Sequence, residues 1–146
     1  NPKAGGKRKG ILVFTRFLKE AERLTMSIPG CVIVSGDTPK KERERILEMF
    51  KVGEIPVVAN VGVLTTGFDY PELDTVVMAR PTMSLAMYYQ IVGRCIRPYK
   101  GKTAWFVDLC GNINRFGEVS DLHLKDTGNG KWAVFSKGRQ LTNVRF

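Results

Sequence analysis

The stretch of sequence that most constrains the fold spans residues 89–98 and reads Tyr-Gln-Ile-Val-Gly-Arg-Cys-Ile-Arg-Pro. In a helix, Gln90, Arg94 and Arg97 are spaced i, i+4 and i+7, so they share one face. Gly93 lies beside them and has no side chain, which leaves room for another group to approach. Two planar, permanently charged guanidinium groups on such a face suit a polyphosphate better than a pair of carboxylates.

The rest of this stretch predicts how the helix is anchored. Ile91, Val92 and Ile96 can face away from the arginines into a core. Tyr88 and Tyr89 just before are interpreted as packing residues, with stacking on bases as the alternative. Pro98 disfavours helical geometry at the preceding residue, so Arg97 is expected where the helix ends. Taken alone, the segment also fits a solvated basic helix face with a packing glycine.

Apolar runs and helical patterns alternate along the chain on either side of this segment. Thr15 is expected to cap a helix that begins at Arg16. Short apolar runs predict buried strands at residues 11–14, 31–34, 55–59, 75–79 and 104–107, and amphipathic helices separate most of them. This alternation predicts a fold of the α/β class, with a mostly parallel sheet and helices on both faces.

Polar clusters follow the predicted strands rather than precede them. They are Thr15-Arg16, Ser35-Gly36-Asp37, residues 60–69 and Asp108. In open parallel sheets, ligands bind beyond the carboxyl ends of the strands, where these clusters would meet. Beyond residue 112 the pattern changes, and residues 122–125 and 132–135 predict a small β-hairpin, with residues 140–146 as a tail.

The amino-acid composition limits which classes of binding partner the chain is expected to have. Its 146 residues suit one domain, and 23 Lys and Arg against 14 Asp and Glu give a net charge of +9. Such an excess favours a polyanionic partner, above all nucleic acid, although lysine also serves solubility. The chain has three widely spaced cysteines and a single histidine, which form neither a metal-binding cluster nor a disulfide framework. We therefore expect no metal site, and we expect the protein to be cytoplasmic. No apolar run is long enough to span a membrane.

The sequence contains arginines suited to a nucleotide but no loop of the form Gly-x-x-x-x-Gly-Lys-Ser/Thr to hold its phosphates. Gly5-Gly6-Lys7 is too short and precedes the first strand. The combination predicts half of a nucleotide site, which another domain completes.

Four ordered motifs give the chain a family resemblance. Residues 11–98 resemble the second, C-terminal RecA-like lobe of superfamily 2 helicases of the DEAD/DEAH-like type. Motif IV is resembled by Ile11-Leu12-Val13-Phe14-Thr15-Arg16, and motif IVa by Ser35-Gly36-Asp37 with Arg43 and Phe50. Motif V is resembled by Thr66-Gly67-Phe68-Asp69-Tyr70-Pro71. Motif VI, Gln-x-x-Gly-Arg-x-x-Arg, is matched by residues 90–97. The resemblance implies a RecA-like three-layer sandwich.

The same resemblance implies roles in ATP hydrolysis. Arg97 would be the arginine finger on the γ-phosphate, with Arg94 as its companion, and both would act on ATP and Mg²⁺ held mainly by a first lobe. Gln90 would bridge to that lobe or to motif V. Asp69 would accept a ribose hydroxyl, while Gly67 and Gly93 complete the ATP-binding set.

For nucleic-acid binding the resemblance implies a second group of residues. They are Thr15, Arg16, Gly36, Asn60, Thr65 and Thr66. Many relatives carry Thr-Asp early in motif V where this chain has Asn60-Val61, offset by about one position. Gln90 replaces the histidine of some subgroups and points away from the DEAD-box RNA subgroup, and residues 108–112 resemble phage and bacterial DNA helicases related to restriction-type translocases.

The resulting prediction is the C-terminal motor lobe of an ATP-dependent DNA helicase or translocase, inactive as an ATPase without its first lobe. Residues 1–10 are expected to form a linker or disordered end, residues 11–112 the RecA-like domain and residues 113–146 an extension. The alternatives are a stand-alone nucleic-acid-binding module with a vestigial motor face, the translocase subunit of a restriction-type enzyme, and a nucleotide-binding protein of another α/β family, which the lack of a phosphate loop after the first strand disfavours.

Overall fold

The computed structural model describes residue 8 and residues 10–64, 69–95, 97–128 and 131–145. Within them, a five-stranded sheet is followed by a three-stranded sheet. The strands are β1 Ile11–Thr15, β2 Cys31–Val34, β3 Val57–Val61, β4 Thr75–Ala79, β5 Trp105–Asp108, β6 His123–Gly128, β7 Lys131–Ser136 and β8 Arg139–Arg145. The helices are α1 Leu18–Ser27, α2 Lys40–Lys51, α3 Leu85–Cys95 and α4 Asn112–Phe116, and a 3-10 turn, Val119–Asp121, precedes β6.

The larger sheet has the strand order β2-β3-β1-β4-β5, and all its pairs are parallel. Val13 in the central strand β1 lies opposite Ala59 on one side and Val77 on the other. Because the strands are parallel, their carboxyl ends all lie along one edge of the sheet. The loops after the five strands therefore begin at the same edge, and the predicted polar clusters follow every strand except β4.

Helices cover both faces of this sheet. Leu12 and Phe14 of β1 pack in a core with residues of α2 and α3, whereas Val13 packs with Ala21 of α1 on the opposite face. Alternate residues of a strand point to opposite faces, so a strand covered on both sides is apolar throughout. This explains the continuous apolar runs, and it confirms the predicted three-layer α/β sandwich.

The prediction that Thr15 caps the first helix is wrong. Thr15 is the last residue of β1 and is buried, and its hydroxyl donates a hydrogen bond to the Asn60 carbonyl oxygen at 3.3 Å. The helix begins three residues later, at Leu18. The Glu20 carboxylate instead accepts hydrogen bonds from the backbone N–H groups of Arg16 and Phe17, just before the helix, at 3.0 and 3.1 Å.

The helix α3 is anchored much as the sequence predicts. Ile91 and Val92 are buried, and Tyr88 is enclosed in the same core, where its ring stacks on Phe116 at a centroid distance of 5.2 Å. The Tyr88 hydroxyl donates to the Gly117 carbonyl oxygen at 2.9 Å. Burial, with smaller effects of neighbouring carboxylates, raises the pKa of Tyr88 to about 12. The helix is thereby tied to the segment that begins the C-terminal extension.

Two predictions near this helix need comment. The prediction for Tyr89 is wrong, because its side chain is exposed to solvent rather than packed. The prediction for Ile96 lies outside the described residues.

The C-terminal extension contains the predicted hairpin and one further strand. Strands β6 and β7 pair antiparallel, with Leu124 opposite Val134. The prediction of a tail at residues 140–146 is wrong, because β8 pairs antiparallel with β7. Lys137 and Gly138 form the connecting turn, and both have positive φ angles, 48° and 79°. Two consecutive residues with positive φ give the tight turn that matches the twist of paired strands.

The predicted linker at residues 1–10 lies mostly outside the described residues. Among the helices that are described, none is long and apolar enough to cross a lipid bilayer.

Candidate functional site

Arg94, Arg97 and Asp69 come together at the surface beyond the end of α3. The helix ends at Cys95, so Arg97 lies just past it, as the following proline predicts. The Arg97 guanidinium forms an ion pair with the Asp69 carboxylate, and 52% and 70% of these two side chains are exposed. Arg94 and Arg97 line one small crevice together with Tyr70. Residues from motifs V and VI are therefore neighbours in space.

The electrostatics of this cluster favour an anion. Partial burial lowers the pKa of Arg94, the nearby positive charge of Arg97 lowers it further, and Asp69 opposes the change. Arginine remains charged at any ordinary pH, so Arg94 keeps its positive charge although it is partly buried and close to the charge of Arg97. The two guanidinium groups line one crevice, and the carboxylate that pairs with Arg97 is exposed, so an anion from solution can compete for this cluster.

Gln90 and Gly93 lie on the same helix, before the arginines. Gln90 is exposed, one turn before Arg94, and lines a groove beside the C-terminal sheet. A Cβ atom built on Gly93 would meet no atom of the described chain within 4 Å. Glycine weakens a helix relative to alanine by roughly 0.5–1 kcal/mol. Nothing in the described chain requires this glycine, and the space beside it is open to a group from outside the chain.

Thr15 and Asn60 are buried, which sets them apart from Arg16 and Gly36, the other described residues expected to bind nucleic acid. The Asn60 side-chain oxygen accepts hydrogen bonds from the backbone N–H groups of Val63 and Leu64 at 3.2 and 3.0 Å. Its amide nitrogen Nδ2 has no hydrogen-bond partner within the described part of the chain. These contacts fix the ends of β1 and β3 and the start of the loop that leads to motif V.

Arg16 and Gly36 are exposed at the carboxyl edge of the sheet, after β1 and β2 respectively. The guanidinium of Arg43 in α2 donates to the carbonyl oxygens of Ser35 and Thr38 at 3.4 and 3.2 Å, and so braces the turn that contains Gly36. A Cβ on Gly36 would also meet nothing within 4 Å among the described residues. The surface around Gly36 is therefore open to an approaching backbone.

Motif V itself is seen only in part. Thr65, Thr66 and Gly67 lie outside the described residues, and the predictions for them stay predictions. The residues after motif V are held by the residues after motif VI. Lys102 Nζ donates to the carbonyl oxygens at positions 71 and 73, at 3.0 and 3.2 Å, and the Tyr99 hydroxyl donates to the Glu72 carboxylate at 2.9 Å. The two motifs are thus joined through their C-terminal flanks.

Sequence reasoning missed a buried hydrogen-bond network centred on Asn112. The Asn112 side chain accepts from the Thr82 backbone N–H at 2.9 Å and donates to the Arg80 carbonyl oxygen at 3.1 Å and to the Asp108 carboxylate at 2.8 Å. Arg115 donates to the Thr82 carbonyl oxygen at 2.7 Å. The network fixes the loop from which α3 starts. Its only signal in the sequence is a polar residue four positions after the end of β5.

The helix α4 begins at Asn112 and spans the boundary predicted between residues 112 and 113, and Arg115 beyond that boundary joins the network through its bond to Thr82. The described ranges contain no group of three or more His, Cys, Asp or Glu side chains that could hold a metal ion.

Comparison with known proteins identifies the family of the chain. Residues 5–99 match the model of the helicase conserved C-terminal domain family. A 51.5 kDa protein of Lactococcus phage (isolate 7-9) is 36% identical over 103 residues, which are 69% of this chain and 23% of the phage protein. The DNA 3'-5' translocase XPB2 of Sulfurisphaera tokodaii is 32% identical over 105 residues, 70% of this chain and 23% of that protein.

The fold has solved counterparts. The structure of S. cerevisiae Dbp5 bound to RNA and ADP BeF3 superimposes with a TM-score of 0.59 at 23% identity, over 72% of this chain and 30% of that chain. This chain spans about a quarter or less of the curated relatives named above. The chain belongs to the helicase conserved C-terminal domain family and is a C-terminal RecA-like lobe of the superfamily 2 helicases.

Proposed function

We propose that the chain is the C-terminal motor lobe of an ATP-dependent DNA helicase or translocase of phage or bacterial type. The observation that carries this proposal is the convergence of Arg94, Arg97 and Asp69 at one exposed crevice. A first lobe with a phosphate-binding loop would hold ATP and Mg²⁺. Closure of the two lobes would bring the guanidinium groups of this chain to the phosphates, and hydrolysis would reopen the cleft.

In this proposal Arg97 exchanges Asp69 for the γ-phosphate. An exposed ion pair contributes only ~0–1 kcal/mol to stability, so separating it costs little. The several negative charges of a triphosphate compete well with one carboxylate, and a bidentate guanidinium contact is strong. Once released, Asp69 is free to accept a hydroxyl from the ribose, while Arg94 neutralises charge beside the finger.

Fewer observations support the choice of DNA over RNA than support binding of nucleic acid in general. The positive net charge serves any nucleic acid, and the exposed residues Arg16 and Gly36 would contact a phosphate backbone of either kind. Gln90 in motif VI, together with the similarity to a DNA translocase, favours DNA. Parallel measurements with DNA and RNA therefore belong in the test.

The test joins this chain to an N-terminal RecA-like lobe encoded upstream in its own gene. We expect the joined protein to hydrolyse ATP, with stronger stimulation by single-stranded DNA than by RNA of the same length. We expect the 146 residues alone to hydrolyse none, because they lack the phosphate loop. Hydrolysis by the purified 146 residues would contradict the half-site, and equal or better stimulation by RNA would contradict the DNA assignment.

Replacing Gly93 with alanine is expected to change folding stability and ATP hydrolysis in opposite directions. We expect Gly93→Ala to raise the free energy of unfolding of this chain by roughly 0.5–1 kcal/mol, since the new methyl group meets empty space. In the joined protein the same change should slow ATP hydrolysis, because the methyl group occupies the surface that nucleotide or first lobe must approach. Urea denaturation and steady-state turnover measure the two effects. Undiminished turnover would show that nothing approaches Gly93.

A further inference from the structure

A groove separates the start of α3 from the C-terminal three-stranded sheet. Its volume is about 790 Å³, within the size range of sites that hold small molecules. Met83, Tyr89 and Gln90 line one wall, and Leu122, His123 and Leu124 line the other. Phe116 also contributes to it. The groove is distinct from the crevice of the two arginines, although both are built on α3.

Large apolar side chains are left in contact with water at this groove. Met83 is 82% exposed, Tyr89 is 56% exposed and Leu124 is 55% exposed. Single exposed apolar residues are common, but three that face one groove mark a surface that binds something. The exposure of Tyr89 contrasts with its neighbour Tyr88, which is fully enclosed in the same helix.

The sequence of the segment that forms this sheet contains more basic than acidic residues, although Lys137 forms an ion pair with Asp121 at 3.5 Å. Residues 122–146 contain five Lys and Arg and a single acidic residue, Asp126. Lys125 is exposed on β6, and its ammonium group lies 5.8 Å from the centroid of the Phe135 ring. His123, two residues before it, stacks on the same ring at 6.1 Å and also lines the groove. His123 and Lys125 thus lie on the same side of β6 against one ring, with His123 in the lining of the groove and Lys125 two residues beyond it.

We infer that this groove binds single-stranded nucleic acid, with one or more bases seated against Tyr89 and His123 and the backbone held by Lys125. Aromatic rings that can stack on bases, set beside cations that contact phosphates, form the usual platform for a single strand. The excess of positive charge on the sheet makes a polyanion a better occupant than an apolar peptide or a second copy of this basic chain. From the proposed function the inference takes only that the chain binds nucleic acid.

The location of the groove provides a path for the strand. Met83 lies in the loop after β4, and Arg16 and Gly36 lie in the loops after β1 and β2, so all three are at the carboxyl edge of the same sheet. A strand that crosses this edge reaches the groove without leaving the surface. Gln90 in the groove is one helical turn from Arg94, so bound bases would touch the helix that carries Arg94 and ends shortly before Arg97.

The test measures binding of fluorescently labelled dT20 and U20 to the 146-residue chain by fluorescence anisotropy. We expect Tyr89→Ala to weaken dT20 binding roughly 5- to 100-fold, the usual effect of losing one stacking ring, and Tyr89→Phe to preserve it. Lys125→Ala should weaken binding and lower the slope of log Kd against log salt by about 0.7, the value for one phosphate contact on a single strand. Met26→Ala and Lys41→Ala are controls, because both residues are exposed on other helices.

Crosslinking gives a second measurement that does not depend on variants. Iodouracil substituted into dT20 should crosslink to peptides that contain Tyr89 or residues 122–124. If the groove variants bind as the controls do and crosslinks form elsewhere, the inference is wrong. If Arg16→Ala alone weakens binding, the groove inference fails while the proposed function stands. Self-association that Tyr89→Ala abolishes, without an effect on dT20, would assign the groove to a second copy and overturn the inference.

Discussion

Replacing Arg97 with alanine in the joined two-lobe protein is expected to slow ATP hydrolysis by about a thousandfold or more, with ATP affinity nearly unchanged. An arginine finger acts on charge that develops on the phosphoryl group during transfer, so its removal raises the barrier more than it weakens binding. Arg97 is suited to this role because it follows the end of α3, is half exposed and has one exposed carboxylate partner.

The structure supplies a matched control for this change. Arg45 also forms an exposed ion pair, with Glu42 at 2.8 Å, but it lies on the solvent face of α2. Arg45→Ala therefore removes a comparable pair and should leave turnover unchanged. Arg97→Lys keeps a positive charge but loses the planar fork, so we expect it to recover only part of the lost rate.

Single-turnover hydrolysis and binding of a fluorescent ATP analogue separate the two effects. If Arg97→Ala lowers ATP affinity and leaves the rate at saturation intact, Arg97 is a binding residue rather than a finger. If turnover stays near that of the unchanged protein, the assignment of the finger to Arg97 is wrong, and Arg94 becomes the residue to test.

The core of the fold can be predicted from the sequence because its signals are local. A strand covered by helices on both faces is a continuous apolar run, and the run at residues 75–79 has the same bounds as β4. The position of Arg97 beyond α3 follows from Pro98, since a proline restricts the residue before it. Arg94 and Arg97 are neighbours in space as their spacing predicts, but only Arg94 lies on the helix, so the predicted shared helical face does not extend to Arg97.

Other features depend on contacts between distant residues, which local patterns do not reveal. Thr15 has the chemistry of a helix cap, but pairing of β1 on both sides extends the strand through it and buries its hydroxyl. The strand β8 escapes prediction because the Lys137–Gly138 turn is a weak signal compared with Asn-Gly. The pattern around Tyr89 favours packing, and only the placement of the small sheet leaves its ring in an open groove.

The second large effect concerns stability rather than chemistry. Replacing Asn112 with alanine is expected to lower the free energy of unfolding by about 3 kcal/mol. The change removes three hydrogen bonds and leaves the backbone N–H of Thr82 and the carbonyl oxygen of Arg80 without the Asn112 amide in a buried place. Asn112→Asp should not rescue stability, because a carboxylate would face Asp108 and could not donate to Arg80.

Asn114 provides the control, since it lies on the same short helix α4 and is exposed. Asn114→Ala should change the free energy of unfolding by no more than about 0.5 kcal/mol, as is usual for surface positions. Urea denaturation followed by circular dichroism measures both variants. A loss below about 1 kcal/mol for Asn112→Ala would mean that the network contributes no more than one ordinary hydrogen bond. A large loss would show that the loop before α3, and with it the platform for Arg94 and Arg97, depends on a residue outside the four helicase motifs.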